Sequence, residues 1–102
     1  MQNDPRLLLL SQEDNIFVLR NAVEAGETIY VEQQQIRFQN RIGLGHKIAR
    51  QSIEKGENVV KYGVPIGKAS CYISRGEFVH LHNLQSDYTP TYALEHEYND
   101  YD

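Results

Sequence analysis

The residues with the types and spacing to do chemistry fall in three short stretches. The first is Val79-His80-Leu81-His82-Asn83. Positions two apart along a strand share a face, so extended backbone here would present both imidazoles on one side, with Val79 and Leu81 turned to the core. Two imidazoles on one face suit a transition metal, or a division of labour between a base and the group that orients it. The same spacing also describes two exposed histidines on the polar face of a half-buried strand, and no carboxylate or third ligand stands at a fixed spacing to decide between them. The second stretch is Gly43-Leu44-Gly45-His46-Lys47. Ahead of a helix, its glycines would leave the first backbone N–H groups free to meet an anion, and Lys47 would add charge. A carboxylate or hydroxy acid fits such a place; a flexible loop and an ordinary helix entry fit the same residues. The third stretch is Val60-Lys61-Tyr62-Gly63. Its lysine and tyrosine could hold a carboxylate, or end a strand with a solvated cation and a packed ring. Cys71 has no basic neighbour in sequence and reads as a small core residue rather than a nucleophile.

What must position these groups is a set of short strands cut by glycine turns. Three segments share the form Val/Ile, two residues, Gly-Glu, one residue, Val/Ile: Val23 to Ile29, Ile53 to Val59 and Ile73 to Val79. The glycine supplies the positive φ of a tight turn and the alternating residues after it start a strand. The unequal spacing of the three segments excludes a solenoid of identical units. Strands are expected at Leu7–Leu10, Ile16–Leu19, Thr28–Val31, Val59–Tyr62 and Phe78–His82, with a weaker one within Gln33–Asn40 and a short extended piece at Ile66–Ser70. Ile48, Ala49 and Ile53 would fall on one face of a helix over His46–Glu54, with Gly56 as its stop. The expected class is mainly β, a compact domain with one short helix.

Composition sets the outer bounds. One hundred and two residues with a single cysteine and no tryptophan make one small domain without an internal disulfide, which points to a reducing, cytoplasmic setting. The longest apolar run, Leu7–Leu10, is far short of the ~18 residues of a membrane span. Fourteen acidic against ten basic residues give a net charge of −4, and Glu95, Glu97, Asp100 and Asp102 carry all of it in the last eight positions. The body is neutral, so the concentrated cationic surface that phosphate backbones require is absent and no nucleic-acid partner is expected. Residues 1–6 are expected to fray, 7–87 to form the domain, and 88–102 to be an acidic, tyrosine-rich tail, linker or docking strip.

Taken together, Gly45-His46-Lys47-Ile48-Ala49, the run from Gly56 to Gly67 and Gly76-Glu77-Phe78-Val79-His80-Leu81-His82-Asn83 resemble the SAF domain of the altronate and galactarate dehydratases. Asp14-Asn15 ahead of a hydrophobic strand, and Ala25-Gly26-Glu27, fit the same pattern, so the resemblance runs from about Leu8 to Leu84. It implies a β-clip fold and a place in a hydro-lyase that dehydrates D-altronate to 2-keto-3-deoxygluconate, together with a large catalytic domain or subunit and iron(II) or manganese(II). The near relative is the small subunit of sulfolactate sulfo-lyase, and a sugar-acid-binding or docking module without catalysis is the other class of function. The resemblance places His46, His80 and His82 as catalytic groups, His80 and His82 as metal ligands, and Lys47, Lys61, Tyr62 and Asn83 at the substrate. A homo-oligomer is compatible with it.

Overall fold

The computed structural model describes residues 2–86. Its described residues contain nine short strands and no helix: β1 (Leu7–Leu8), β2 (Ile16–Leu19), β3 (Thr28–Val31), β4 (Gln34–Arg37), β5 (Lys47–Ala49), β6 (Asn58–Lys61), β7 (Val64–Ala69), β8 (Phe78–Val79) and β9 (Leu84–Ser86). They form an antiparallel sheet in the order β1-β2-β5-β8, a hairpin β3-β4, and a sheet β6-β7-β9. The expected tail, 88–102, lies outside the described residues. From Asn3 onward the N-terminal stretch expected to fray is tied to the body: Asp4 N–H donates to the Tyr30 carbonyl at 3.0 Å, and Arg6 bridges Asp4 and Glu27 at 2.9 and 3.0 Å.

The expected helix over His46–Glu54 is instead strand β5, a bend, and an isolated bridge from Ile53 to Ile73. Ile48 and Ala49 are adjacent and both fully buried, because alternate residues of a central strand enter different cores. Phe17 and its partner Ile48 join one core with Leu19, Val23, Ile29 and Phe38, while Ile16 and its partner Ala49 join another with Ile53, Val59 and Val79. β5 is hydrogen-bonded to β2 on one side and β8 on the other, so tertiary pairing overrides the local helical spacing.

Four turns of one design feed these strands. Each runs from a buried anchor through a glycine turn into a buried strand residue: Val23 to Ile29, Ile42 to Ile48, Ile53 to Val59 and Ile73 to Val79. The anchors pair two by two, Val23 with Ile42 and Ile53 with Ile73. At the turn glycines φ is +85° to +90°, a region a side chain at Gly56 would strain to enter. In the three Gly-Glu copies the glutamate carboxylate returns to the backbone N–H three residues before it: Glu27 to Glu24 at 2.8 Å, Glu57 to Glu54 at 2.6 Å and Glu77 to Ser74 at 2.8 Å. The fourth copy, Ile42-Gly43-Leu44-Gly45-His46-Lys47-Ile48, has histidine at that position.

Candidate functional site

The β5–β8 ladder brings the outlying histidines together. Lys47 pairs with Val79 and Ile48 with Phe78, so His46 and His80 are the next opposed positions along the same antiparallel register. Their rings meet edge to face at 5.6 Å. Phe78 is the hub: His46 lies against it at 5.3 Å, His80 stacks on it at 5.3 Å, and His82 tilts over it at 5.7 Å. The three histidines therefore share one small region, but not for the reason their spacing suggested. β8 stops at Val79, and His80–Asn83 is a turn rather than a continuing strand, so Val79 is buried as expected while Leu81, expected in the core, is 73% exposed.

Asn83 makes that turn. It is fully buried, its Oδ1 accepts from the His80 N–H at 2.9 Å, and its Nδ2 donates to the Phe78 carbonyl at 2.9 Å. The His80 carbonyl in turn accepts from the Asn83 and Leu84 N–H groups. Asn83 thus holds His80 and Phe78 in place from below and has its amide committed to the backbone.

The two lysines enter through electrostatics. Lys47 is half-buried on β5, and burial, then the neighbouring charge of Lys61, pushes its pKa below the ordinary lysine value. No carboxylate pairs with Lys47 among the described residues. Burial, followed by the charges of His46, Lys47 and His82, likewise pushes His80 below the usual histidine value. This region therefore disfavours added positive charge and favours an anion.

Lys61 is positioned by a device that the residue pattern alone does not reveal. The carboxylate of Asp14, 2% exposed, accepts the N–H groups of Tyr62 and Gly63 at 2.8 Å each and of Ser11 at 3.1 Å. Asn15 Oδ1 accepts the Val60 N–H at 2.8 Å. Together they clamp the β6–β7 hairpin, whose turn residues Tyr62 and Gly63 have φ of 60° and 74°. The Tyr62 ring itself is 71% exposed and makes no ring contact with the histidine cluster. Cys71, expected in the core, is exposed.

The anion-binding helix start expected at Gly43–Lys47 is not present, because no helix follows and the Gly45 N–H donates to the Leu19 carbonyl at 2.7 Å. A groove of about 500 Å³ adjoins the cluster, with Phe78 and His82 sharing its lining with Arg37, Arg41 and Arg75. Neither Phe78 as hub nor this groove was foreseen from spacing. Relaxing the Gly-Glu motif at its glutamate would have revealed Gly45-His46 as a fourth copy. Among the described residues no three His, Cys, Asp or Glu side chains converge as a metal-ligand set. His80 and His82 therefore do not make a complete site for iron(II) or manganese(II), and a metal held here would take further ligands from beyond these residues.

An all-β domain whose cations and imidazoles gather at the end of one ladder defines a class. Residues 5–87 match the altronate/galactarate dehydratase SAF domain, and the chain belongs to that family. Among particular proteins it is similar to altronate dehydratase of Bacillus subtilis (strain 168), 38% identical over 78 residues, and of Escherichia coli (strain K12), 38% identical over 74 residues. Those matches cover 76% and 72% of this chain but only 16% and 15% of the two dehydratases. It is also 36% identical over 75 residues to (2R)-sulfolactate sulfo-lyase subunit alpha of Chromohalobacter salexigens, covering 68% of this chain and 80% of that subunit. Its relatives are thus parts of lyases.

Proposed function

We propose that this chain is the SAF portion of a hydro-lyase that dehydrates a sugar acid, D-altronate to 2-keto-3-deoxygluconate, in a cytoplasmic assembly with a large catalytic domain or subunit. The observation that carries this reading is the meeting of His46, His80 and His82 around Phe78, next to Lys47, in a member of the dehydratase SAF family.

Dehydration of a hydroxy acid needs a base for the proton beside the carboxylate, positive charge for the enolate that develops, and an acid for the departing hydroxyl. His80, biased towards its neutral form, is suited to accept that proton. Lys47 and Lys61 neutralise the carboxylate and its enolate. His46 or His82, once protonated, gives its proton to the hydroxyl as the C–O bond breaks and water leaves; the enol then becomes the keto acid. Asn83 is a positioning residue that fixes the His80 turn, and the exposed Tyr62 meets substrate or the large domain. A metal at this site would take ligands from the large domain beside His80 and His82 and would supply further positive charge for the enolate.

A second reading, the small subunit of a sulfolactate sulfo-lyase, is favoured by the 80% coverage of that subunit. Both readings share a carboxylate handle and differ in the group expelled. Mixing the chain with its matching large subunit, iron(II) and either acid separates them: keto-acid formation from altronate supports the first, and sulfite release from sulfolactate the second. If the double variant His80→Ala/His82→Ala turns over at the wild-type rate, His80 and His82 have no catalytic part.

A further inference from the structure

The four turns share a backbone, yet only three carry their own carboxylate. At those three, the N–H groups of Glu24, Glu54 and Ser74 each donate to a glutamate oxygen at 2.6–2.8 Å. The equivalent group in the fourth is the Gly43 N–H, which has no hydrogen-bond acceptor among the described residues. We propose that the fourth turn binds the carboxylate of a ligand, with the Gly43 N–H as donor and the ligand oxygen lying where Glu27, Glu57 and Glu77 place theirs.

Three further observations converge on that amide. The other copies carry a side chain at this position and the fourth carries glycine, although Gly43 does not adopt positive φ. Space does not demand glycine either: an added Cβ would meet only His46 Cδ2 at 3.6 Å and Arg41 Nη1 at 3.9 Å, ordinary contacts. What the glycine does is leave the approach to the amide clear. The Arg41 guanidinium stands beside it, its Nε paired with Glu24 at 3.1 Å, and positive charge without a carboxylate partner among the described residues comes from Lys47, half-buried at the start of the strand that the turn feeds. Finally, His46 stands in the glutamate's place and its ring touches His80, so a carboxylate held at Gly43 would be seated beside the imidazoles that the chemistry requires.

The ligand class, a hydroxy carboxylate, rests on the sugar-acid reading above; the carboxylate preference itself rests on the turns. The test is an amide ¹⁵N–¹H titration of the full chain with sodium D-gluconate, against sodium chloride, for wild type, His46→Glu and His46→Ala. Wild type is expected to show a saturable downfield shift of the Gly43 amide, with Glu24, Glu54 and Ser74 unmoved because their acceptors are internal. In His46→Glu the new carboxylate caps Gly43, whose amide then resonates downfield without gluconate, the gluconate response is lost, and the melting midpoint rises by about 4 °C. His46→Ala leaves the amide open and keeps a gluconate response, which separates an occupied donor from a lost imidazole. A Gly43 amide that stays still at roughly 100 mM gluconate, far above a millimolar Kd, overturns the proposal. So does an equal response to chloride, or an unaltered gluconate response in His46→Glu. Gluconate binding at Gly43 without turnover by the assembled enzyme removes the dehydratase reading and leaves this site standing; turnover without gluconate binding at Gly43 does the reverse.

Discussion

The turn at Gly56-Glu57 and the turn at Gly45-His46 have the same buried anchors, the same glycine conformation and the same entry into a strand, yet they do opposite things with one side chain. Glu57 bends back and satisfies the Glu54 N–H, so its turn is closed on itself. His46 reaches away to Phe78 and His80 and leaves the Gly43 N–H for something else. The contrast teaches that a backbone repeat can be read as its own control. Where three copies spend a residue on stability and the fourth does not, the fourth marks the place at which the sequence serves another end.

The largest effects should come from what the two turns have in common. Ile53→Ala empties a fully buried anchor and should cost about 3 kcal/mol, and Ile42→Ala, 9% exposed in the equivalent place, about 2 kcal/mol by chemical denaturation. Anchors that differed grossly in cost would break the equivalence of the turns. Next come the residues that distinguish them. Glu57→Ala removes a carboxylate from the Glu54 N–H and should cost about 1 kcal/mol through the lost cap, whereas His46→Ala ends no cap and should cost about 0.5 kcal/mol through its ring contacts with Phe78 and His80. The smallest effect is a pH dependence confined to the His46 side. His80 has a depressed pKa when folded, so the unfolded chain takes up the proton first as pH falls below ~6.5. Its share of stability is complete above that value and is lost as pH falls towards the folded pKa. Replacing His80 with Asn should flatten the stability profile in that window, and a profile unchanged by the substitution would show that His80 is not desolvated.

Much of this was legible in the residues. Ile16–Leu19 and Thr28–Val31 are strands with the expected bounds, because a short run of β-branched and aromatic residues between polar turns leaves little choice. The three Gly-Glu turns were legible for the same reason: a glycine at positive φ followed by alternating residues is a local signal. The helix over His46–Glu54 was misread because Ile48, Ala49 and Ile53 satisfy helical spacing, while the deciding fact, pairing of β5 with strands far away in sequence, is not local. His80 and His82 were found for a reason that did not hold, since Asn83 folds their segment into a turn. What brings His46 to His80 is a register 34 positions apart in sequence, and the hub, Phe78, looks in the sequence like any core aromatic. Asp14 was visible only as part of a family pattern; of its three N–H partners, Ser11 is local and Tyr62 and Gly63 come from one distant hairpin turn.

The central claim is that the fourth turn has given up its cap for function. It is tested most directly by one variant, His46→Glu, measured for keto-acid formation from altronate with the matching large subunit while its melting midpoint is followed in parallel. The expected result is a midpoint at or above wild type together with a rate lowered by about 100-fold or more, the scale of a lost acid–base group. A His46→Glu protein that turns over within about twofold of wild type, well below the tenfold that ~1.4 kcal/mol of barrier represents, would contradict it.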